Sequence, residues 1–307
     1  MNAADDAPEQ RQRTDWPWWS LLVALTLLPV PFGILVGNAL YLNALQGLDR
    51  VSQTHSKTLY IIEGSASGMQ MAPCVFVLVC LALLRASLMR RLTIAISFVL
   101  LHAVFSVAST LYWNNVLNHL SLRLGKEILD ESYSAPAAAL TCLIMAAPMK
   151  LWRRWTLDRD QPAMPARSLD LATLLEWTAI AAIGFVCIRQ QIGQIHYLPI
   201  GLLIYHLILS GLPIITLTLS MLLLLRCLLV PGQSIRPFRM IGSLLAWTIA
   251  ATLAALVALN WKDPAVRLEF HFQTSSLVLS YILTGMLLLI ANTLCLRQLG
   301  FQLKRFG

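Results

Sequence analysis

The residues best suited to chemistry are three titratable side chains deep inside apolar segments. They are His102 in FVLLHAVFSVAST, His206 in GLLIYHLILSG and Glu176 in DLATLLEWTAI. An ionisable group is costly in hydrocarbon, so each of the three is a candidate for a functional role. A neutral imidazole is also a common metal and haem ligand. Two such rings close together can share a proton, or can bind a metal or a haem.

The two histidines are predicted to lie near the membrane midplane. At 1.5 Å per residue, His102 lies ~15 Å from one membrane face and His206 lies ~12 Å from the other. Glu176, ~9 Å from the cytoplasmic face on the same scale, can supply a counter-charge. The alternative role is structural, because a lone intramembrane histidine often forms a helix-to-helix hydrogen bond worth about 0.6 to 2 kcal/mol. The sequence favours this structural role for each residue taken alone, and leaves the shared site open.

Proline and glycine interrupt two of the segments that position these groups. LLPVPFGILVG contains Pro31 and Gly33, and its prolines predict a kink because proline removes a backbone donor. The segment 198–229 contains Pro213 in an apolar run that is too long for one straight crossing. We expect one kinked, tilted helix there, with two half-spans as the alternative. The candidates for a transport or proton path are therefore His206, His102, Glu176, Pro31, Gly33 and Pro213.

The composition indicates that the chain is embedded in a lipid bilayer. Of the 307 residues, 57% are hydrophobic and 12% are charged, which is roughly half the ~25% charge of soluble domains. The apolar runs approach the ~20 residues needed to cross a ~30 Å hydrocarbon core, and only helices or closed barrels cross it. We predict an all-α polytopic integral membrane helix bundle of about eight spans. It forms a single domain over 1–307, with tails at 1–17 and 297–307 and spans near 18–41, 66–84, 92–113, 134–149, 170–188, 198–229, 240–260 and 275–296.

Basic residues predict the orientation of these spans. Most of the 23 Lys and Arg residues fall in the two tails and in the loops after the even-numbered spans, so the positive-inside rule places both termini in the cytoplasm. We expect the cell inner (plasma) membrane, with the basic loops binding anionic lipid headgroups. The segment KLWRRWTLDRD is predicted to lie on those headgroups rather than on nucleic acid. The other side carries only Arg50, Lys57, Arg123, Lys126, Arg189, Lys262 and Arg267.

Small residues are interpreted as packing or helix-start signals. The GSASG segment, Gly64 to Gly68, has alanine where a serine-nucleophile turn needs serine. We therefore expect it to begin the second helix, with Ser65 or Ser67 as its cap. Gly33 with Gly37, and alanines four apart between 250 and 258, are expected to let helix backbones approach closely.

No catalytic motif or metal-binding motif accompanies the candidate residues. The sequence has no HExxH and no Walker loop, and its six cysteines form no CxxC pair. We expect a non-enzymatic membrane component, meaning a scaffold, a sensor or a complex subunit with membrane-protein partners. The alternative is a small-molecule or proton-coupled transporter that uses the kinked first and sixth spans. A third possibility is an intramembrane haem or metal protein, or an enzyme, in which His102 and His206 bind the cofactor. The sequence itself names no cofactor.

Overall fold

The described part of the chain is mostly helical. The computed structural model describes residues 35–36, 56–84, 89–91, 93–98, 100–101, 104, 144–146, 149, 155–159, 178, 211–231, 237–262 and 268–305. Four long helices lie within these ranges, together with two short strands. The helices are α1 (Ser56–Leu83), α2 (Leu212–Leu229), α3 (Pro237–Lys262) and α4 (Leu268–Gln298), and the strands are β1 (Trp155–Arg159) and β2 (Phe301–Arg305).

Three helices are long and apolar enough to cross a membrane. They are Tyr60–Leu83, Leu212–Leu229 and Ser275–Gln298. α3 contributes a shorter apolar stretch, Gly242–Ala254. The helical membrane class predicted from composition is therefore supported, while the count of eight spans and the location of the termini stay predictions.

α1 begins earlier than we predict from the sequence. The predicted second span was 66–84, but the helix starts at Ser56 and contains the whole GSASG segment. The expectation that Ser65 or Ser67 caps the start of this helix is therefore wrong. α1 also contains Pro73 in its interior. Because proline has no N–H, the carbonyl of Met69 receives no backbone bond from it, which favours a bend at this point.

The sequence explains where α2 and α4 end. α2 stops at Leu229 because Val230, whose backbone is extended (φ −75°, ψ 122°), precedes a proline that disfavours helical geometry before it. After α4, the amide of Gly300 donates a hydrogen bond to the carbonyl oxygen of Arg297 (3.0 Å). Gly300 has φ +82°, a value that glycine adopts without strain. The chain then turns directly into β2.

The core lies where α1, α2 and α4 pack together. α1 makes its most extensive packing against α4, and α2 packs against both. Gly64 approaches Leu277 and Gly68 approaches Tyr281, so α1 and α4 run in the same direction. α3 packs against α2 and α4. The largest fully buried side chains include Phe76, Leu83, Leu217, Met221, Leu224, Leu225, Ile282, Leu289 and Leu296.

A small antiparallel sheet closes one end of this core. β1 pairs with β2 in a register that places Leu157 opposite Leu303. Both leucines are fully buried, and Phe301 is nearly so. Leu84, directly after α1, forms a single parallel bridge to Leu157. We call this two-stranded sheet the clasp, because it joins the end of α1 to the C-terminal tail. No strand is predicted from the sequence in either segment.

Candidate functional site

Most residues proposed from the sequence lie outside the described residues. These are His102, His206, Glu176, Pro31 and Gly33. Their proposed roles as cofactor ligands or as parts of a proton path therefore stay predictions. Of the six candidates, only Pro213 is described.

Pro213 lies in the first turn of α2 and is buried. At this position its missing N–H removes no hydrogen bond from the described helix, since the first amides of a helix have no partner within it. Gly211, just before the helix, has helical backbone angles (φ −72°, ψ −44°). Residues 201–210 lie outside the described part of the chain. The choice between one kinked helix and two half-spans over 198–229 therefore stays open.

Among the described glycines, Gly64 and Gly68 mark a close contact between α1 and α4. A Cβ atom added to Gly64 would overlap the carbonyl oxygen of Leu277 and the hydroxyl of Ser280. A Cβ atom added to Gly68 would overlap the carbonyl oxygen of Tyr281. Two glycines four residues apart form the small-xxx-small pattern that lets membrane helices approach closely. GSASG is thus a packing motif in the interior of a helix.

Gly285 of α4 makes room for α2 in a similar way. A Cβ atom added there would lie 2.8 Å from a terminal methyl group of Leu217. This neighbour is the end of a flexible side chain, in contrast to the backbone atoms that face Gly64 and Gly68. Gly285 is therefore a site of close packing at which the partner can adjust.

Five buried hydroxyl-bearing residues in the described helices satisfy their hydroxyl groups within their own helix. Thr218 and Ser220 on α2 are fully buried. The hydroxyl of Thr218 donates a hydrogen bond to the carbonyl oxygen of Ile214 at 2.7 Å. Such bonds to the carbonyl four residues earlier leave no hydroxyl in need of water. The five are Thr216, Thr218, Ser220, Thr248 and Thr293, each bonded in this way.

Two of these hydroxyl groups also meet a methionine on a neighbouring helix. The hydroxyl of Thr293 lies 3.6 Å from the sulfur of Met221. The hydroxyl of Thr248 lies 3.6 Å from the sulfur of Met286. These contacts join α4 to α2 and α3 to α4. Since Met221 follows Leu217 and Thr293 follows Gly285, α2 and α4 also run in the same direction.

The alanines expected to pack closely on α3 point away from the described core. Ala250 and Ala254 are exposed, as are Gly242 and Ala246 on the same helix. α3 instead meets its described neighbours through Leu244, Thr248 and Ala251, which are buried. The expected close approach at Ala250 and Ala254 is therefore not made among the described residues.

Metal-ligating side chains do not gather within the described ranges. In that part of the chain, no group of three or more His, Cys, Asp and Glu residues could hold a metal ion. The four described cysteines are free thiols: Cys74 and Cys80 are buried, Cys227 is half-buried and Cys295 is exposed. The main feature of the described residues is thus the close packing of their helices.

Basic side chains mark the end of the core that carries the clasp. Arg226 and Arg297 occupy the last turns of α2 and α4. Both are exposed. Lys304 lies in β2 and is partly exposed. This end of the described structure is therefore predominantly basic.

The described core is an apolar helix bundle with three helices long and apolar enough to cross a membrane, which is compatible with a helical membrane protein. Comparison with protein-family models, with curated proteins and with solved structures finds no match to this chain.

Proposed function

We propose that the chain is a non-enzymatic component of the cell inner (plasma) membrane, acting as a structural subunit or scaffold for membrane-protein partners. The observation that carries this proposal is the packing of α1, α2 and α4. Gly64 and Gly68 bring two helix backbones into direct contact, and the five buried Ser and Thr hydroxyl groups are satisfied within their own helices. Helices whose buried Ser and Thr hydroxyl groups are bonded in this way favour a rigid support over a polar path, since a path needs several groups free to bind a solute. Within the described helices, the buried amide nitrogen of Asn292 on α4 is such a free group.

The proposed protein has eight spans and cytoplasmic termini. The clasp supports this topology, because it brings the end of α1, the strand Trp155–Arg159 and the C-terminal strand to one end of the core. Segments on one membrane face must be separated by an even number of crossings. Two spans between Leu84 and Trp155, and four between Arg159 and Phe301, meet this condition. The two crossings before Trp155 are the predicted spans at 92–113 and 134–149. The four crossings after Arg159 are the predicted span at 170–188 and the helices α2, α3 and α4.

The common direction of three helices supports the same eight-span topology. α1, α2 and α4 run in parallel, and they correspond to the second, sixth and eighth predicted spans. Spans with even numbers all run from the outer face to the cytoplasm when the N-terminus is cytoplasmic. Arg226 and Arg297, in the last turns of α2 and α4, agree with that direction.

The test compares the assembly state of the protein with its transport activity. Native electrophoresis of gently solubilised membranes should give a particle larger than the purified chain. Proteoliposomes containing the purified chain should hold an imposed pH gradient as long as empty liposomes do. A particle of the same size in both preparations would count against a complex subunit.

The same preparations separate the alternatives. Collapse of the pH gradient that is lost in His206→Ala would replace the scaffold proposal with a proton-coupled transporter. A Soret absorbance band that is lost in His102→Ala would replace it with a haem protein. The matched control is Gly242→Ala, since a Cβ atom there meets nothing within 4 Å.

A further inference from the structure

The two strands of the clasp have matching sequences. β1 reads WTLDR and β2 reads FQLKR. Aligned without a gap, both have an aromatic residue first, a polar residue second, leucine third, a charged residue fourth and arginine fifth. Nearly half of the 307-residue chain separates the two strands. Self-similarity at such a distance is the signature of an internal repeat.

The register of the clasp is the one that a two-fold axis requires. The first residue of each strand lies opposite the last residue of the other, as Trp155 does with Arg305. The equivalent leucines, Leu157 and Leu303, pair with each other at the centre, and both are fully buried in the core. In a two-fold interface, residue i contacts j while j contacts i. The clasp meets this condition at every pair, with the axis at the two leucines.

The helices that meet the clasp repeat this relationship. α1 packs against β1, and α2 packs against β2. α1 and α2 also contact each other and run in the same direction. In the sequence of each, a proline is followed by an uncharged run and then by an arginine. The pairs are Pro73 with Arg85 and Pro213 with Arg226, and their spacings differ by one residue.

The predicted third and seventh spans continue the repeat. Arg91 precedes the third span and Arg239 precedes the seventh. Each span reaches a tryptophan, Trp113 or Trp261, the same number of residues after its arginine. Arginine and tryptophan are common at membrane boundaries in general. The match of these spans therefore gains its weight from the clasp, where the repeat is also seen as symmetry.

We infer that the chain is an internal duplication of two four-span halves, and that the clasp is the interface at which each half binds the other. The second to fourth predicted spans with β1 correspond to the sixth to eighth with β2. The axis that relates the halves passes through the Leu157–Leu303 pair. Because four is an even number, both halves enter the membrane from the same face, which agrees with the common direction of α1 and α2. The duplication does not depend on whether the protein is a scaffold or a transporter.

The two halves have diverged outside these elements. The prolines of the first predicted span have no counterpart in the fifth. When Arg91 is aligned with Arg239, His102 corresponds to Ala250. A role for His102 would therefore belong to one half only, whereas the clasp uses equivalent residues of both.

The test measures distances between spin labels on pairs of cysteines in the purified full-length protein, in a background without native cysteines. D158C/R239C joins the first half to the second, and R91C/K304C joins the equivalent positions in reverse. A two-fold axis makes these two distances equal. D158C/R91C and R239C/K304C each lie within one half, and these two distances should also match.

A second set of variants uses Arg85 and Arg226 in place of Arg91 and Arg239, so that the result does not depend on one pair being tolerated. Each labelled variant must elute as the wild-type protein does on gel filtration. Equal distances between the halves in either set support the duplication. Unequal distances between the halves would overturn the two-fold interface, even if the distances within the halves match.

Discussion

Gly68 of α1 lies directly against the carbonyl oxygen of Tyr281 of α4. The amide nitrogen of Gly285 is also near, 3.1 Å from the position that a Cβ atom on Gly68 would take. One turn earlier, Gly64 meets the carbonyl oxygen of Leu277 in the same way. The contact thus extends over two turns of both helices, and backbone atoms together with the Ser280 hydroxyl form the opposing surface.

Alanine at Gly68 should separate these two helices. Because a backbone carbonyl cannot move aside as a side chain can, we expect Gly68→Ala to lower the free energy of unfolding by about 1–3 kcal/mol. Gly64→Ala should have a similar effect. The measurement is equilibrium unfolding of the purified protein by sodium dodecyl sulfate in mixed micelles.

The control for this prediction is Gly242→Ala in α3. It makes the same chemical change in a helix, but the added Cβ atom meets nothing within 4 Å. Alanine has a higher helix propensity than glycine by ~1 kcal/mol, so this variant should be unchanged or more stable. Equal stability of Gly68→Ala and Gly242→Ala would show that the α1–α4 contact does not limit stability.

Gly285→Ala should cost less than Gly68→Ala. Its nearest neighbours are the terminal methyl groups of Leu217, at 2.8 and 2.9 Å from the added Cβ atom. A change of rotamer at Leu217 can relieve this overlap, so we expect a loss of about 1 kcal/mol. The same unfolding measurement ranks the two variants, and a greater loss at Gly285 than at Gly68 would contradict the distinction.

A double-mutant cycle identifies the source of the Gly285 effect. Leu217→Ala alone should cost ~2–5 kcal/mol because it leaves a cavity in the core. With Leu217 shortened, the extra methyl group of Gly285→Ala no longer meets an obstacle. The double variant should therefore be more stable than the sum of the single losses predicts. Additive losses would mean that Gly285 acts through another neighbour.

The sequence predicts the helical membrane class because a bilayer requires long apolar helices, and α2 and α4 show this requirement directly. It also contained the signal for the α1–α4 contact. Gly64 and Gly68 have the same spacing as Gly33 and Gly37, but the serines between them favoured a helix start. Whether GSASG starts a helix or packs inside one depends on its contact with α4. Because α4 lies far away in the chain, no local pattern of residues could decide between the two.

The clasp was not predictable for a related reason. Each strand has five residues, and neither is apolar enough to suggest burial by itself. Leu157 and Leu303 become buried only when the two segments meet at the ends of the helices. The titratable candidates are a different case: His102, His206 and Glu176 were selected by the cost of their burial in lipid, and all three lie outside the described residues.

Cysteine pairs can test the register of the clasp. Thr156 and Lys304 face each other across the two strands, and directly opposed residues in an antiparallel pair have Cα atoms ~4.5–5.5 Å apart. This spacing suits a disulfide bond. In a background without native cysteines, T156C/K304C should form a disulfide readily under mild oxidation, as measured by a mobility shift on non-reducing gels.

The matched control moves one partner by two residues. T156C/Q302C places both thiols on the same strands but on the diagonal, where Cα atoms are ~7–8 Å apart. Slower oxidation of this pair is expected. Faster oxidation of the diagonal pair would show a different register.

The accessibility of single cysteines tests the proposed topology. In intact cells of a cysteine-free background, a membrane-impermeant maleimide added from outside should label K262C, because the end of α3 is proposed to face outward. It should not label K304C or D158C until the membrane is opened, since the clasp is proposed to lie in the cytoplasm. Labelling of K304C and D158C in intact cells, with K262C protected, would reverse the orientation. Labelling of only one of the two clasp positions would contradict the pairing itself, because two strands of one sheet cannot lie on opposite faces of a membrane.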